Sequence, residues 1–219
     1  AGVDAGRSVR NSALVFDEAN DTAWVICGGA TGSETNDMMP LHNASDASSW
    51  GWGATVKAQA TRRNHVAELS PTHRLVFIFA GKLGSSFYSN NREVRDAANN
   101  MALASVSVTG TAPSGRMFMA SAFDPVGERM FVLTGNTGVN VNSPEVWTLV
   151  VDSRTAAHWV QVGSTPVSRN DPAAFYQRET NQLWMVQGDS GLSSAVRYAT
   201  VYRSSAVDTT NATKAAAVS

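Results

Sequence analysis

The sequence predicts an all-β protein built from four consecutive copies of one module, and three observations carry that prediction. The first is an apolar run that opens on an aromatic residue and closes on a glycine four positions later, at Trp24–Gly28, Phe77–Gly81, Phe131–Gly135 and Trp184–Gly188. The leading aromatics step by 53, 54 and 53 residues. The second is an arginine series, Arg10, Arg63, Arg116 and Arg169, each ahead of an apolar segment and 53 residues from the last. The third is a period near two inside each unit, which belongs to strands and not helices. Self-similarity at a fixed step of this size marks a repeat architecture.

One unit can be followed element by element. After Arg10 comes the apolar run Ala13–Phe16, then the turn-rich Asp17–Asp21, then a second run, Ala23–Cys27, that ends at Gly28-Gly29. Equivalent turns fall at Ser70–His73, Asp124–Glu128 and Arg178–Asn181, so each unit opens with a hairpin. The closing glycine suits a strand exit with positive φ or a close backbone approach. The third strand is clearest at Glu145–Asp152 and the fourth at His158–Val162, joined through Ser153-Arg154-Thr155. Four sequential strands in roughly 50 residues form the blade of a β-propeller. The units run 10–62, 63–115, 116–168 and 169–207, and the Ala/Thr/Ser-rich stretch 208–219 reads as a flexible tail. In the second unit Val106 is in phase with Trp159 of the third, and the fourth unit offers a third strand at Ala195–Tyr202.

With these residues in place the chain resembles the kelch-repeat family. The pattern is an arginine near the start of the innermost strand, a strand ending in Gly-Gly (here a pair only in the first unit), an acidic-apolar-Trp third strand and a Trp in the fourth. The third unit carries it as Arg116, Gly135, Glu145-Val146-Trp147 and Trp159, and the first as Arg10, Gly28-Gly29, Asn36–Met39 and Trp50 or Trp52. The resemblance spans residues 8–203 and implies a kelch-type β-propeller with four recognisable blades. Such rings more often close with five to seven blades. A stretch of a larger ring, a compact four-bladed ring and a half completed by a partner are therefore all open. An unclosed ring exposes apolar faces, which favours a piece of a longer chain or a subunit held by neighbours.

Composition narrows the function. Lys and Arg number 17 against 18 Asp and Glu, a balance that removes the electrostatic case for nucleic acid. No apolar run approaches the roughly 18 residues of a membrane span. Cys27 is the only cysteine, so neither an internal disulfide nor a Cys-rich zinc site is available, and an intracellular, cytoplasmic location is expected. His65 and Glu68 have helical spacing but would point to opposite faces of a strand, so they do not make a metal pair. Neither a nucleophile elbow nor a phosphate-binding loop occurs, and no cofactor is expected. Cys27 reads as a core residue.

Two sets of binding candidates remain. Arg10, Arg63, Arg116 and Arg169 would ring one mouth of a channel, where guanidinium groups suit carboxylates on a partner. A residue repeated in every unit equally suits a scaffold role, bonding carbonyls of its own or the next unit. The loops after the glycines are 30–35, 82–91, 136–143 and 189–194, opening at positions such as Asn136 and Asp189. The resemblance implies that these loops bind. Phe87-Tyr88 in the longest of them forms an aromatic pair suited to anchoring an interface. The expected function is a non-catalytic protein-interaction scaffold, with a protein partner, an acidic peptide or a larger complex as ligand. The alternatives are an architectural subunit of a large assembly, or a propeller enzyme with its site in the channel mouth.

Overall fold

Strands dominate the computed structural model, which describes residues 9–30, 33–84, 86–139, 141–189 and 201–204. The first sheet contains β1 (Ala13–Asp17), β2 (Thr22–Ala30), β3 (Ser33–His42), β4 (Gly51–Trp52) and β5 (Val56–Arg62). The second contains β6 (Val66–Ser70), β7 (Leu75–Leu83), β8 (Ser86–Asp96) and β9 (Ala102–Leu103). After β10 (Ser107–Thr109) the third sheet follows, from β11 (Ala120–Asp124) and β12 (Arg129–Leu133). A small hairpin, β13 (Asn136–Gly138) with β14 (Val141–Asn142), leads on to β15 (Glu145–Ser153) and β16 (Ala156–Ser164). The fourth sheet holds β17 (Ala173–Gln177), β18 (Gln182–Val186) and β19 (Val201–Arg203). Within the sheets, neighbours pair antiparallel with the sole exception of β10, and the hairpins expected from the turn residues are all present.

The period of two decides how the sheets stack. Successive side chains of a strand point to opposite faces, and here the two faces of a sheet serve two different neighbours. Val15, Trp24, Ile26 and Met38 of the first sheet share a core with Ala67, Val76 and Ile78 of the second. The intervening Phe77 and Phe79 turn the other way and pack with Met130, Val132, Trp147 and Trp159 of the third. Phe131 and Leu133 then face Leu183 and Met185 of the fourth. Each sheet therefore sets a forward face on the rear face of the next. Strand β7 reads Leu-Val-Phe-Ile-Phe-Ala-Gly with every residue buried because both of its faces are occupied.

The repeat also lives in the backbone. Asn11, Asn64, Phe118 and Asp171 all have positive φ, as do Asp21, Arg74, Glu128 and Asn181, and Cys27, Ala80, Thr134 and Gln187. All three sets step by 53, 54 and 53. Each glycine of the original pattern follows a residue of the last set and is itself left-handed, Gly81 at φ 89°. The first set joins the sheets: Asn64 N–H donates to Asn11 C=O (3.0 Å), Phe118 N–H to Asn64 C=O (3.2 Å) and Asp171 N–H to Phe118 C=O (2.8 Å).

One element departs from expectation. The fourth strand of the second unit does not lie beside β8; β9 covers only Arg95 and Asp96 there. The segment runs outward, and β10 pairs parallel with β16 on the third sheet. Val106 and Val108 follow the apolar surface around Trp159, which explains the capture. Residues 195–200 and the 205–219 tail lie outside the described residues.

The strand exit gives a first test. A Cβ at Gly81 would meet Arg63 O at 2.6 Å on a left-handed backbone, whereas one at Gly84 (φ 52°) meets nothing within 4 Å. Gly81→Ala should cost about 3 kcal/mol in urea unfolding and Gly84→Ala about 1 kcal/mol.

Candidate functional site

The arginine series separates into two structural positions. Arg10 and Arg63 bridge to Gly29 and Lys82, and the residues at the same place in the next two units are Met117 and Asn170. Arg116 and Arg169 instead share their position with Arg62, and all three guanidinium groups are fully buried. Each donates through NH1 to a carbonyl 18 residues on: Arg62 to Ala80 (3.5 Å), Arg116 to Thr134 (2.9 Å) and Arg169 to Gln187 (2.9 Å). Those carbonyls belong to the left-handed residues at the strand exits. Arg116 also meets Glu145 at 2.6 Å, and Arg62 meets Glu93 at 3.4 Å. Arg116 and Arg169 thus lie where an external partner does not reach them, and their geometry is the scaffold alternative. Arg10 is exposed, and Arg63 pairs with Glu34 at 3.2 Å.

The loop candidates are shorter than the sequence suggests, because the strands run on into them. Lys82–Leu83 belongs to β7, and Phe87 and Tyr88 lie on β8; the side chain of Phe87 is outside the described set. Tyr88 is half-buried, and its backbone is overlaid by Gly115, whose Cβ would stand 2.2 Å from Tyr88 O. Asn136 is buried and its Oδ1 accepts from Gly138 N–H at 3.1 Å, shaping the β13–β14 turn. Asp189 bridges to Asn170.

What the sequence did not place is a cavity of about 710 Å³ at the opposite end of the sheets, among the first-hairpin turns. Its walls come from the first strands of the hairpins: Leu14 and Phe16 of β1, Glu68 and Leu69 of β6 and Phe123 of β11, with Arg178 from the turn after β17. Arg74 there is tied to Asp17 at 2.6 Å. Glu68 is the unusual member. Its carboxylate accepts from Ser121 Oγ at 2.6 Å, yet burial pushes its pKa up to about 7. The positions in phase with it are Val15, Ala122 and Phe175, so a charged residue at an otherwise apolar inner-strand position was the available signal. A carboxyl of this kind holds or releases a proton near neutral pH, inside a partly apolar wall.

Two other buried groups are shifted away from neutral pH. Cys27 is buried and its thiol is pushed up to about 12; His65 is buried and held down to about 3 by desolvation and by Arg62. Among the described residues no three His, Cys, Asp or Glu come together as a metal set, and no helix is long and apolar enough to cross a membrane. No family model and no curated protein matches the chain.

Two predictions follow from these positions. Arg116→Met removes the donor to the Thr134 carbonyl and the ion-pair partner of Glu145, which keeps only Trp147 Nε1 on that oxygen, and should cost about 3 kcal/mol, while Arg10→Met stays within about 0.5 kcal/mol of the native chain by urea unfolding. Glu68 has its folded pKa above the ordinary carboxylate value, so the native state binds the extra proton. Stability then falls as pH rises from about 4.5 to about 7 and stays low above that. Glu68→Gln should remove this slope and raise stability at pH 8 by of order 2 kcal/mol, read as melting temperature against pH.

Proposed function

We propose that the four sheets are consecutive blades of a kelch-type β-propeller, and that the chain is a non-catalytic scaffold receiving a protein partner at the turn end of its central cavity. The observation that carries this reading is that inner strands of successive sheets line one cavity while hydrogen bonds link Asn11, Asn64, Phe118 and Asp171 from sheet to sheet. Such an arrangement turns the innermost strand of every unit toward a common axis. The cavity mouth combines an apolar floor, Phe16, Leu69 and Phe123, with Pro71 and Pro125 and the exposed Arg178. That combination suits an apolar anchor residue flanked by a carboxylate, so an acidic peptide remains the favoured ligand, with Arg178 in the role first given to Arg116 and Arg169.

Glu68 favours a second reading, an enzyme using that carboxyl as a general acid or base. Capture of partner proteins by the immobilised chain, identified by mass spectrometry, separates the two. Arg178→Glu should reduce capture at least about tenfold, Gln161→Lys on the outer strand β16 should leave it unchanged, and Glu68→Gln should retain it. Capture insensitive to Arg178→Glu would sink the scaffold reading at this mouth.

A further inference from the structure

Among the described residues, the stacking of forward face on rear face leaves one of each unmatched. The rear face of the first sheet carries Leu14 and Phe16 on β1, paired across the strands with Val25 and Ala23, then Met39 and Leu41 on β3, then Trp52 on β4. It is apolar from strand to strand, yet Leu14 is 66 %, Phe16 45 % and Trp52 44 % exposed. The forward face of the fourth sheet carries Phe175, Trp184, Val186 and Val201. Phe175 and Trp184 stack at 5.8 Å, and Phe175 and Val201 remain 48 % and 55 % exposed.

We propose that these two faces bind each other between two copies of the chain, head to tail, with the forward face of one copy's fourth sheet on the rear face of the other's first sheet. The choice of occupant comes from complementarity. Every internal junction is forward on rear, so the surface that fits either end is the one at the other end of the same chain. The groups that stitch the internal junctions recur at the ends. The turn residues of the second and third sheets meet the inner strand of the sheet before: Arg74 meets Asp17 at 2.6 Å and Glu128 meets Ser70 at 2.5 Å. At the new junction the corresponding residues are Asp21 and Gln177, a carboxylate and an amide. Gln177 Oε1 already accepts from Trp184 Nε1 at 3.0 Å, which orients its amide N–H groups as donors for Asp21 of the second copy. The backbone relay extends in the same way, with Asn11 N–H donating to Asp171 C=O across the junction. An interface of this kind is heterologous: it joins two different patches and is not self-complementary.

That asymmetry supplies the test. The 219-residue chain should exceed 23.2 kDa in sedimentation equilibrium and native mass spectrometry, as a multiple of that mass. Trp52→Asp blocks the rear face of every copy and Phe175→Asp the forward face of every copy, so each variant alone should be monomeric. Both positions are exposed, and melting temperature confirms that each variant is folded. Mixed in equal amounts, the two variants keep one good junction and should give a complex of two chains, one of each, and nothing larger. A monomeric wild-type chain, an association that survives either substitution, or folded variants that fail to combine would overturn the proposal. Because Arg178 and the cavity mouth are untouched by both substitutions, failure here leaves the scaffold reading standing, and the reverse also holds.

Discussion

The guanidinium group buried at the head of the second, third and fourth sheets is the interaction on which the architecture turns. Each repeat carries its second strand into a left-handed residue followed by a left-handed glycine, at a register shift within β2 and β7 and at the end of β12 and β18. The left-handed conformation of Ala80, Thr134 and Gln187 is unfavourable for L-residues, and a carbonyl turned out of the ladder there needs a donor. NH1 of Arg62, Arg116 or Arg169 is that donor. The charge is not left to burial alone. Arg116 has Glu145, and Arg62 shares Glu93, which also accepts from Gln59 N–H of the first sheet and from Arg95. One carboxylate thus joins a strand exit to the neighbouring sheet.

Satisfying both faces of every inner sheet follows from the same design. With Phe77 and Phe79 committed forward and Val76 and Ile78 committed backward, no internal face is left to water. Strands β1, β6 and β11 then lie side by side, and polar side chains there end up in the junctions. Glu68 reaches Ser121 in the next sheet, and Asp17 reaches Arg74. The unusual protonation of Glu68 is a consequence of this crowding: the carboxyl lies between two inner strands, with a single hydroxyl as its hydrogen-bond partner.

The period, the hairpins and the antiparallel order of strands were legible because they depend on alternation and turn residues, which are local. Four things were not. Arg63 and Arg116 are 53 apart, but the repeat between the second and third units is 54, as the aromatic step already showed; the adjacent pair Arg62-Arg63 hid the difference. The left-handed positions were invisible because Asn11, Asn64, Phe118 and Asp171 share a conformation and no chemistry. The course of residues 104–112 depends on a competition between two sheet edges, β8 and β16, which no local pattern settles. The cavity leaves no local mark for a related reason: glycine-rich loops are visible in the sequence, while much of this site's wall is residues within strands.

The first sheet shows that the clasp is one solution to a more general requirement. In phase with Arg62, Arg116 and Arg169 stands Val9, so Cys27, left-handed like its counterparts, has no guanidinium in the equivalent place. The cations come from the next sheet instead. Arg63 and Lys82 both pair with Glu34 on β3, just beyond that strand exit, and the Arg63 stem lies 3.5 Å from the Cβ position of Gly29. Arg62, the last residue of β5 in the first sheet, clasps Ala80 of the second, and Arg63, one residue along the same chain and bridged to Lys82, braces the first. Adjacent arginines on one strand point to opposite sides, so a two-residue segment can close one strand exit and brace the neighbouring one. The first sheet is therefore held by its successor, and its free rear face is the price of having no predecessor among the described residues to do the same.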